Sequence, residues 1–319
     1  MVDPLNVVIC SDGRPGHAKQ THAVVAALAS LTPLSMETCT LAPAAGLGRV
    51  LQGLTALRAP DRSSIGFALT DVDLIIGAGT RTHLPMLAMK FRCRAKLVTC
   101  MSPDPMLRFW FDLCLVPRHD NPPARRNIFT TFGPPCMKIS GEHHNPKMGL
   151  ILASGLDPKS HYWDTSNLMN QIEALITRMP EISWTVSSSP RTPADTIDQL
   201  RRLAAHNHQV RFFSAADTPP GWIDSAYKVH DQVWVTADSV SMVYEALTAG
   251  CRVGILPVAW KNPQNKFQCG IDDLNANGLI LDYSRWQKGQ QWPEILKPLD
   301  EAERCASEIL RRWWPKRLA

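Results

Sequence analysis

The sequence predicts an α/β protein made of two Rossmann-like domains facing a cleft. Three observations carry this. Short apolar runs alternate with helical stretches, glycine-rich loops follow several of those runs, and the pattern fades near mid-chain and then restarts.

In the first half, Val7 to Cys10 reads as a buried strand running into the loop Ser11-Asp12-Gly13-Arg14-Pro15-Gly16-His17. Thr21, Val24, Val25 and Leu28 then mark one face of a helix. Leu74 to Ile76 is a second strand, ending in Gly77-Ala78-Gly79-Thr80-Arg81-Thr82-His83. Ala95 to Cys100 and Asp112 to Val116 are two more, and Phe109-Trp110-Phe111 reads as core. From about Pro117 to Pro146 prolines and polar residues predict loops, with a linker near residues 138–147.

The second half opens with a strand at Gly149 to Ala153 and a helix whose apolar face is Leu168, Ile172, Leu175 and Ile176. Strands at Ser183 to Ser187, Val233 to Thr236 and Val253 to Val258 follow. A helix from the Asp238 region ends near Ala249, with Gly250 as its C-terminal cap. The domain bounds are therefore 1–140 and 148–295, followed by a C-terminal amphipathic helix within 300–319. That helix opens on Asp300 and Glu303, a potential capping box. Its stripe of Ala302, Cys305, Ala306, Ile309, Leu310, Trp313 and Trp314 suits packing on the protein or, alternatively, contact with lipid.

The chain has 319 residues with 45% hydrophobic and 20% charged, a globular mix that excludes general disorder. A net charge of +5 suits an anionic substrate or a membrane surface and is too small to argue for nucleic acid. The nine cysteines form no C-x-x-C pair and no zinc-type spacing, which fits reduced thiols in a cytoplasmic protein. No run approaches the roughly 18 apolar residues of a membrane span, and the first residues do not resemble a signal peptide. Membrane contact is thus expected to be peripheral. No D-x-D-type pair stands in a suitable loop, so no metal and no cofactor are expected.

Ligands of open parallel sheets bind beyond the carboxyl ends of the strands, which directs attention to the loops. Gly13, Gly16, Gly77 and Gly79 permit close backbone approach. In the segment Thr236 to Leu247, Asp238 or Ser239 can cap the helix or meet a ligand. Ser241 in its first turn can offer a hydroxyl and an N–H to phosphate. Glu245 lies one turn on and on the same face, where a carboxylate can accept from ribose hydroxyls. Arg191 is a candidate diphosphate clamp and Lys266 a point charge for the same task.

These segments together resemble the bacterial "mitochondrial fission" (elongated-mitochondria) family over nearly the whole chain. Asp12-Gly13-Arg14-Pro15-Gly16-His17 is similar to its D-G-[KR]-P-G-H loop, and Ile76-Gly77-Ala78-Gly79-Thr80-Arg81-Thr82-His83 to its I-G-A-G-x-x-T-H loop. Val116-Pro117-Arg118-His119-Asp120, Lys159-Ser160-His161-Tyr162, Ser189-Pro190-Arg191-Thr192-Pro193 and Lys266-Phe267 resemble further motifs. The helix Asp238-Ser239-Val240-Ser241-Met242-Val243-Tyr244-Glu245-Ala246 resembles another. The resemblance implies a GT-B glycosyltransferase-like fold, similar in layout to the transferase that adds N-acetylglucosamine to the peptidoglycan lipid precursor. Arg14-Pro15 stands where that enzyme is richer in glycine.

The implied function is transfer of a sugar from a nucleotide sugar to an acceptor such as an envelope lipid or oligosaccharide, on the cytoplasmic face of the inner membrane. His17 is the candidate base, because a histidine near its ordinary pKa removes a hydroxyl proton at neutral pH. Asp12 is the rival base, or an Asx-turn residue holding the glycine loop. The first domain would present the acceptor. The second would hold the donor through Ser188, Arg191, Asp238, Ser239, Ser241, Glu245 and Lys266. A nucleotide-sugar epimerase and a non-catalytic adaptor on the same fold are the alternatives.

Overall fold

The computed structural model describes residues 3–41, 68–139, 144–294 and 297–318. Residues 140–143 of the expected linker lie outside the described residues. The chain divides into two compact units, 1–138 with 300–319, and 139–299.

The first unit carries a six-stranded parallel sheet. Its elements are β1 (Leu5–Ser11), α1 (Pro15–Leu31), β2 (Leu34–Thr40), β3 (Leu74–Gly77), α2 (His83–Lys90), β4 (Lys96–Thr99), β5 (Leu113–Pro117) and β6 (Ile128–Thr131). The strand order is β2-β1-β3-β4-β5-β6. β3 to β5 are apolar almost throughout because helices cover both faces of the sheet. The period of two in β1 shows it. Val7 and Ile9 pack with Val24, Val25 and Leu28 of α1, while Val8 and Cys10 pack with Met86 and Met89 of α2.

The second unit contains β7 (Asn145–Leu152), β8 (His161–Tyr162), α3 (Thr165–Arg178), β9 (Ser183–Ser187), α4 (Ala194–His206), β10 (Val210–Phe213), α5 (Trp222–Val229) and β11 (His230–Thr236). It continues through α6 (Val240–Thr248), β12 (Arg252–Leu256), β13 (Ala259–Trp260), α7 (Lys266–Ala276), β14 (Ile280–Asp282) and α8 (Tyr283–Gln287). The main sheet runs β10-β9-β7-β11-β12-β14, all parallel, and β8 pairs antiparallel with β13. Gly149 lies opposite Trp184 and Gly254 opposite Trp234. A Cβ on either glycine would come within 2.4 Å of the indole, so the strand glycines are what let the tryptophans lie across the sheet.

Three expectations change. The stretch from Pro117 to Pro146 contains β6 and the start of β7, since Ile128 to Thr131 pairs with β5. The loop after β1 is shorter than expected: Pro15 opens α1, where its missing N–H costs nothing, so Gly16 and His17 lie in the first helical turn. Phe109 and Trp110 are exposed, and of that triplet only Phe111 is core.

The C-terminal helix, Glu301–Trp313, belongs to the first unit. Asp300 caps it, accepting from the Glu303 N–H at 2.9 Å. Cys305, Ala306, Ile309 and Leu310 are fully buried against β1, β3 and α1, with Trp313 and Trp314 packed on the same core. Burying an isoleucine or leucine is worth about 1.5–3 kcal/mol, so the Cys305, Ala306, Ile309 and Leu310 part of the stripe is committed to the protein, while Trp313 and Trp314 are partly buried. Among the described residues no helix is long and apolar enough to cross a membrane. All nine cysteines are free, and burial pushes the thiols of Cys100, Cys114 and Cys251 up to about 12.

Candidate functional site

In each unit the strand order reverses at one place. In the first sheet it lies between β1 and β3, in the second between β7 and β11. Loops leaving neighbouring strands at such a point diverge to opposite faces and open a crevice beyond the carboxyl ends. The candidate residues collect at these two places.

In the first unit, β1 delivers Asp12 and α1 delivers His17. The Asp12 carboxyl is 1% exposed and the His17 ring 28%. Asp12 Oδ2 lies 3.0 Å from His17 Nδ1. A carboxylate only accepts, so Nδ1–H donates. Asp12 Oδ1 accepts from the Arg14 N–H at 3.2 Å, so Asp12 both turns the loop and orients the imidazole. The β3 loop closes against this pair. Gly79 has φ +98, and a Cβ there would lie 2.4 Å from His17 Nδ1 and 2.6 Å from Asp12 Oδ2. Only glycine fits, for both reasons.

The other glycines have different surroundings. Gly13 has φ +76 and Gly16 faces open space, whereas Gly77 sits where a Cβ would strike the Cys10 carbonyl and Met86 at 2.8 Å. Gly77 is a packing position. His83 is buried against Phe111 and Thr99, and burial lowers its pKa to about 4, with Asp104 opposing and His17 adding to the shift.

In the second unit, Arg191 is the hub. Its Nη2 donates to Ser154 Oγ at 2.6 Å and to Asp238 Oδ2 at 3.3 Å. The guanidinium remains 47% exposed, while the carboxylate is 2% exposed. Asp238 Oδ1 is buried with no hydrogen-bond partner among the described residues. Buried carboxylate oxygens are costly to leave unpaired, so this atom marks the place as unfinished.

The surrounding backbone is tightly stitched. Ser154 N–H donates to Thr236 Oγ1 at 3.0 Å, joining the ends of β7 and β11. Thr192 Oγ1 donates to the Ala153 carbonyl, and a Cβ on Gly155 would lie 2.1 Å from the Arg191 carbonyl oxygen. His161 Nε2 donates to the Gly155 carbonyl at 3.0 Å and lies 3.9 Å from Asp238 Oδ2.

The capping reading of Asp238 and Ser239 is corrected. Ser239 holds the N-cap position of α6 but its side chain makes no capping hydrogen bond, and Asp238 turns to Arg191 instead. The start of α6 therefore keeps N–H groups that no side chain caps. Ser241 is exposed in that first turn and Glu245 half-buried one turn on. Ser188 is a brace, its Oγ accepting from the Ala215 N–H at 3.0 Å. Lys266 opens α7, with its Nζ 5.4 Å from the Phe267 ring. The sequence reading missed Ser154, Gly155 and Thr192 as parts of this site. Gly155 in a loop straight after a strand was the available signal.

Among the described residues no group of three or more His, Cys, Asp or Glu side chains is placed to hold a metal ion. The first constellation can take up a proton. The second can bind an oxyanion.

Solved structures resemble the chain at low identity. The UDP-GlcNAc 2-epimerase from Methanocaldococcus jannaschii is 11% identical with a TM-score of 0.64, covering 97% of this chain and 99% of that one. The S. aureus MnaA–UDP structure is 11% identical with a TM-score of 0.53, covering 99% and 98%. The glycosyltransferase SnogD from Streptomyces nogalater is 11% identical with a TM-score of 0.52, covering 96% and 95%. These likenesses establish the GT-B fold. No curated protein matches the chain in sequence. The profile of the family described as "Mitochondrial fission ELM1" matches residues 15–313, and the chain belongs to that family.

Proposed function

We propose that this protein is a glycosyltransferase that moves a sugar from a nucleotide-diphosphate donor to the hydroxyl of an envelope lipid or oligosaccharide. The observation that supports the reading is the Asp12–His17 pair, a histidine fixed through Nδ1 by a buried carboxylate while its ring stays partly exposed. That is the arrangement of a general base, and simple binding does not require it. His17 Nε2 takes the acceptor proton as the acceptor oxygen bonds to the anomeric carbon. The bond from that carbon to the diphosphate breaks, and the charge left on the nucleoside diphosphate is met by Arg191 and the uncapped N–H groups of α6. Ser241 and Lys266 assist at the phosphates and Glu245 accepts from the ribose.

The test is product analysis with a nucleotide sugar that raises the melting temperature of the protein. Free nucleoside diphosphate together with sugar on a second molecule is the expected outcome. A product still joined to its nucleotide but altered in configuration would move the chain to the epimerases. Ligand binding with no turnover for any acceptor tried would leave an adaptor.

A further inference from the structure

We propose that an exposed aromatic turn of the first unit docks this protein onto an anionic bilayer surface. Eleven large hydrophobic side chains are exposed among the described residues, and five of them fall between residues 84 and 110: Leu84, Phe91, Met106, Phe109 and Trp110. They are gathered in space. Leu84 and Phe91 are seven residues apart along α2 and its end, hence on one helical face. The Phe91 ring meets Trp110 edge-on at 5.5 Å. Phe109 is 69% exposed and Met106 85%, on the short turn that leads into β5. Single exposed apolar residues need no explanation, but a contiguous aromatic group on a soluble surface does.

The chemistry around the group selects the occupant. Arg125 lies 4.9 Å from the Phe109 ring, Arg92 directly follows Phe91, and Arg92, Arg94, Arg125 and Arg126 are all exposed, whereas between residues 84 and 126 Asp104 is the one exposed acid. Tryptophan seats at headgroup depth, phenylalanine and methionine reach the acyl boundary, and a surplus of arginine favours an anionic leaflet. A second copy of the chain fits less well, because a two-fold interface would set the same arginines against each other.

The position has a consequence for the site. The turn follows β4, and Met101 at its root lies with Sδ 2.9 Å from the Gly79 N–H, the glycine that touches His17. Docking would hold the His17 end of the first sheet beside the membrane, within reach of hydroxyls carried by lipids. The docking itself stands on the patch and does not depend on sugar transfer.

Sedimentation with vesicles of phosphatidylcholine, with and without phosphatidylglycerol, tests it on the full chain. The wild type should pellet with the anionic vesicles and bind about tenfold less to neutral ones or in high salt. Phe109→Ser with Trp110→Ser should lower binding by about tenfold, and Arg92→Glu with Arg94→Glu should do the same through charge alone. The second variant decides if the first does not fold. Wild type left in the supernatant with anionic vesicles would overturn the proposal. So would a folded variant that pellets like the wild type, or a patch-dependent dimer without vesicle binding.

Discussion

The two switch points are built on opposite principles. In the first unit both oxygens of the buried Asp12 carboxylate have protein partners. Asp12 spends one oxygen on the Arg14 N–H and the other on His17, and Gly79 seals the pair. In the second unit one oxygen of Asp238 is buried without a partner among the described residues, Ser239 makes no side-chain cap for α6, and Arg191 is half-exposed beside them. A finished arrangement fixes geometry before a substrate arrives, as a base requires. An unfinished one is completed by a ligand, as a binding site requires. The difference teaches which end should govern rate and which affinity.

The sharpest way to break the comparison is His17→Ala. Loss of a base costs about 10²–10⁴-fold in turnover, and donor affinity should hardly change because the residues proposed to hold the donor belong to the other unit. Rate at saturating donor and melting temperature on one preparation check it. A folded mutant turning over within about threefold of wild type would reduce His17 to a loop brace, far short of a catalytic loss.

Acid should loosen the finished end. Burial lowers the His83 pKa from 6.5 to about 4, so between those values the folded state holds fewer protons than the unfolded chain. Stability is therefore full above pH 6.5, falls as pH drops towards 4 and levels off below, by about 3 kcal/mol in total. Denaturant melts across this interval should show the slope, and His83→Gln should flatten it.

Gly79→Ala should cost about 1–3 kcal/mol of stability, through positive φ and a methyl forced onto His17. Activity should fall with it while nucleotide binding persists. A mutant of unchanged melting temperature and rate would show that the two loops are not locked. Glu245→Ala should weaken nucleotide binding by about tenfold without unfolding. Calorimetry on the folded mutant measures this, and unchanged affinity removes Glu245 from the donor site.

The parallel sheets were legible because Val7 to Cys10 and Leu74 to Ile76 are dense apolar runs ending in loops, while Ser183 to Ser187 alternates polar and apolar residues. β6 was not, since Ile-Phe-Thr-Thr sits among prolines and is made a strand by its pairing with β5. His17 and Asp12 were legible as candidates but not as a pair. Only the turn that starts α1 at Pro15 brings Nδ1 onto the carboxylate. Asp238 looked like a helix cap by position, and its contact with Arg191, 47 residues away in sequence, is a tertiary fact with no local trace. Phe109 and Trp110 looked like core by composition, and only the fold shows which side of the turn faces solvent.

The most direct test of the account is calorimetric titration of a panel of nucleoside diphosphates (UDP, GDP, ADP, CDP and dTDP) into the wild type, Arg191→Ala and His17→Ala. The account predicts that at least one binds the wild type. It predicts that Arg191→Ala weakens that binding by about tenfold or more, the worth of a charge-assisted hydrogen bond. His17→Ala should bind as the wild type does. Absence of binding by all five, or an Arg191→Ala protein with wild-type affinity, would contradict the assignment of the unfinished end to the donor.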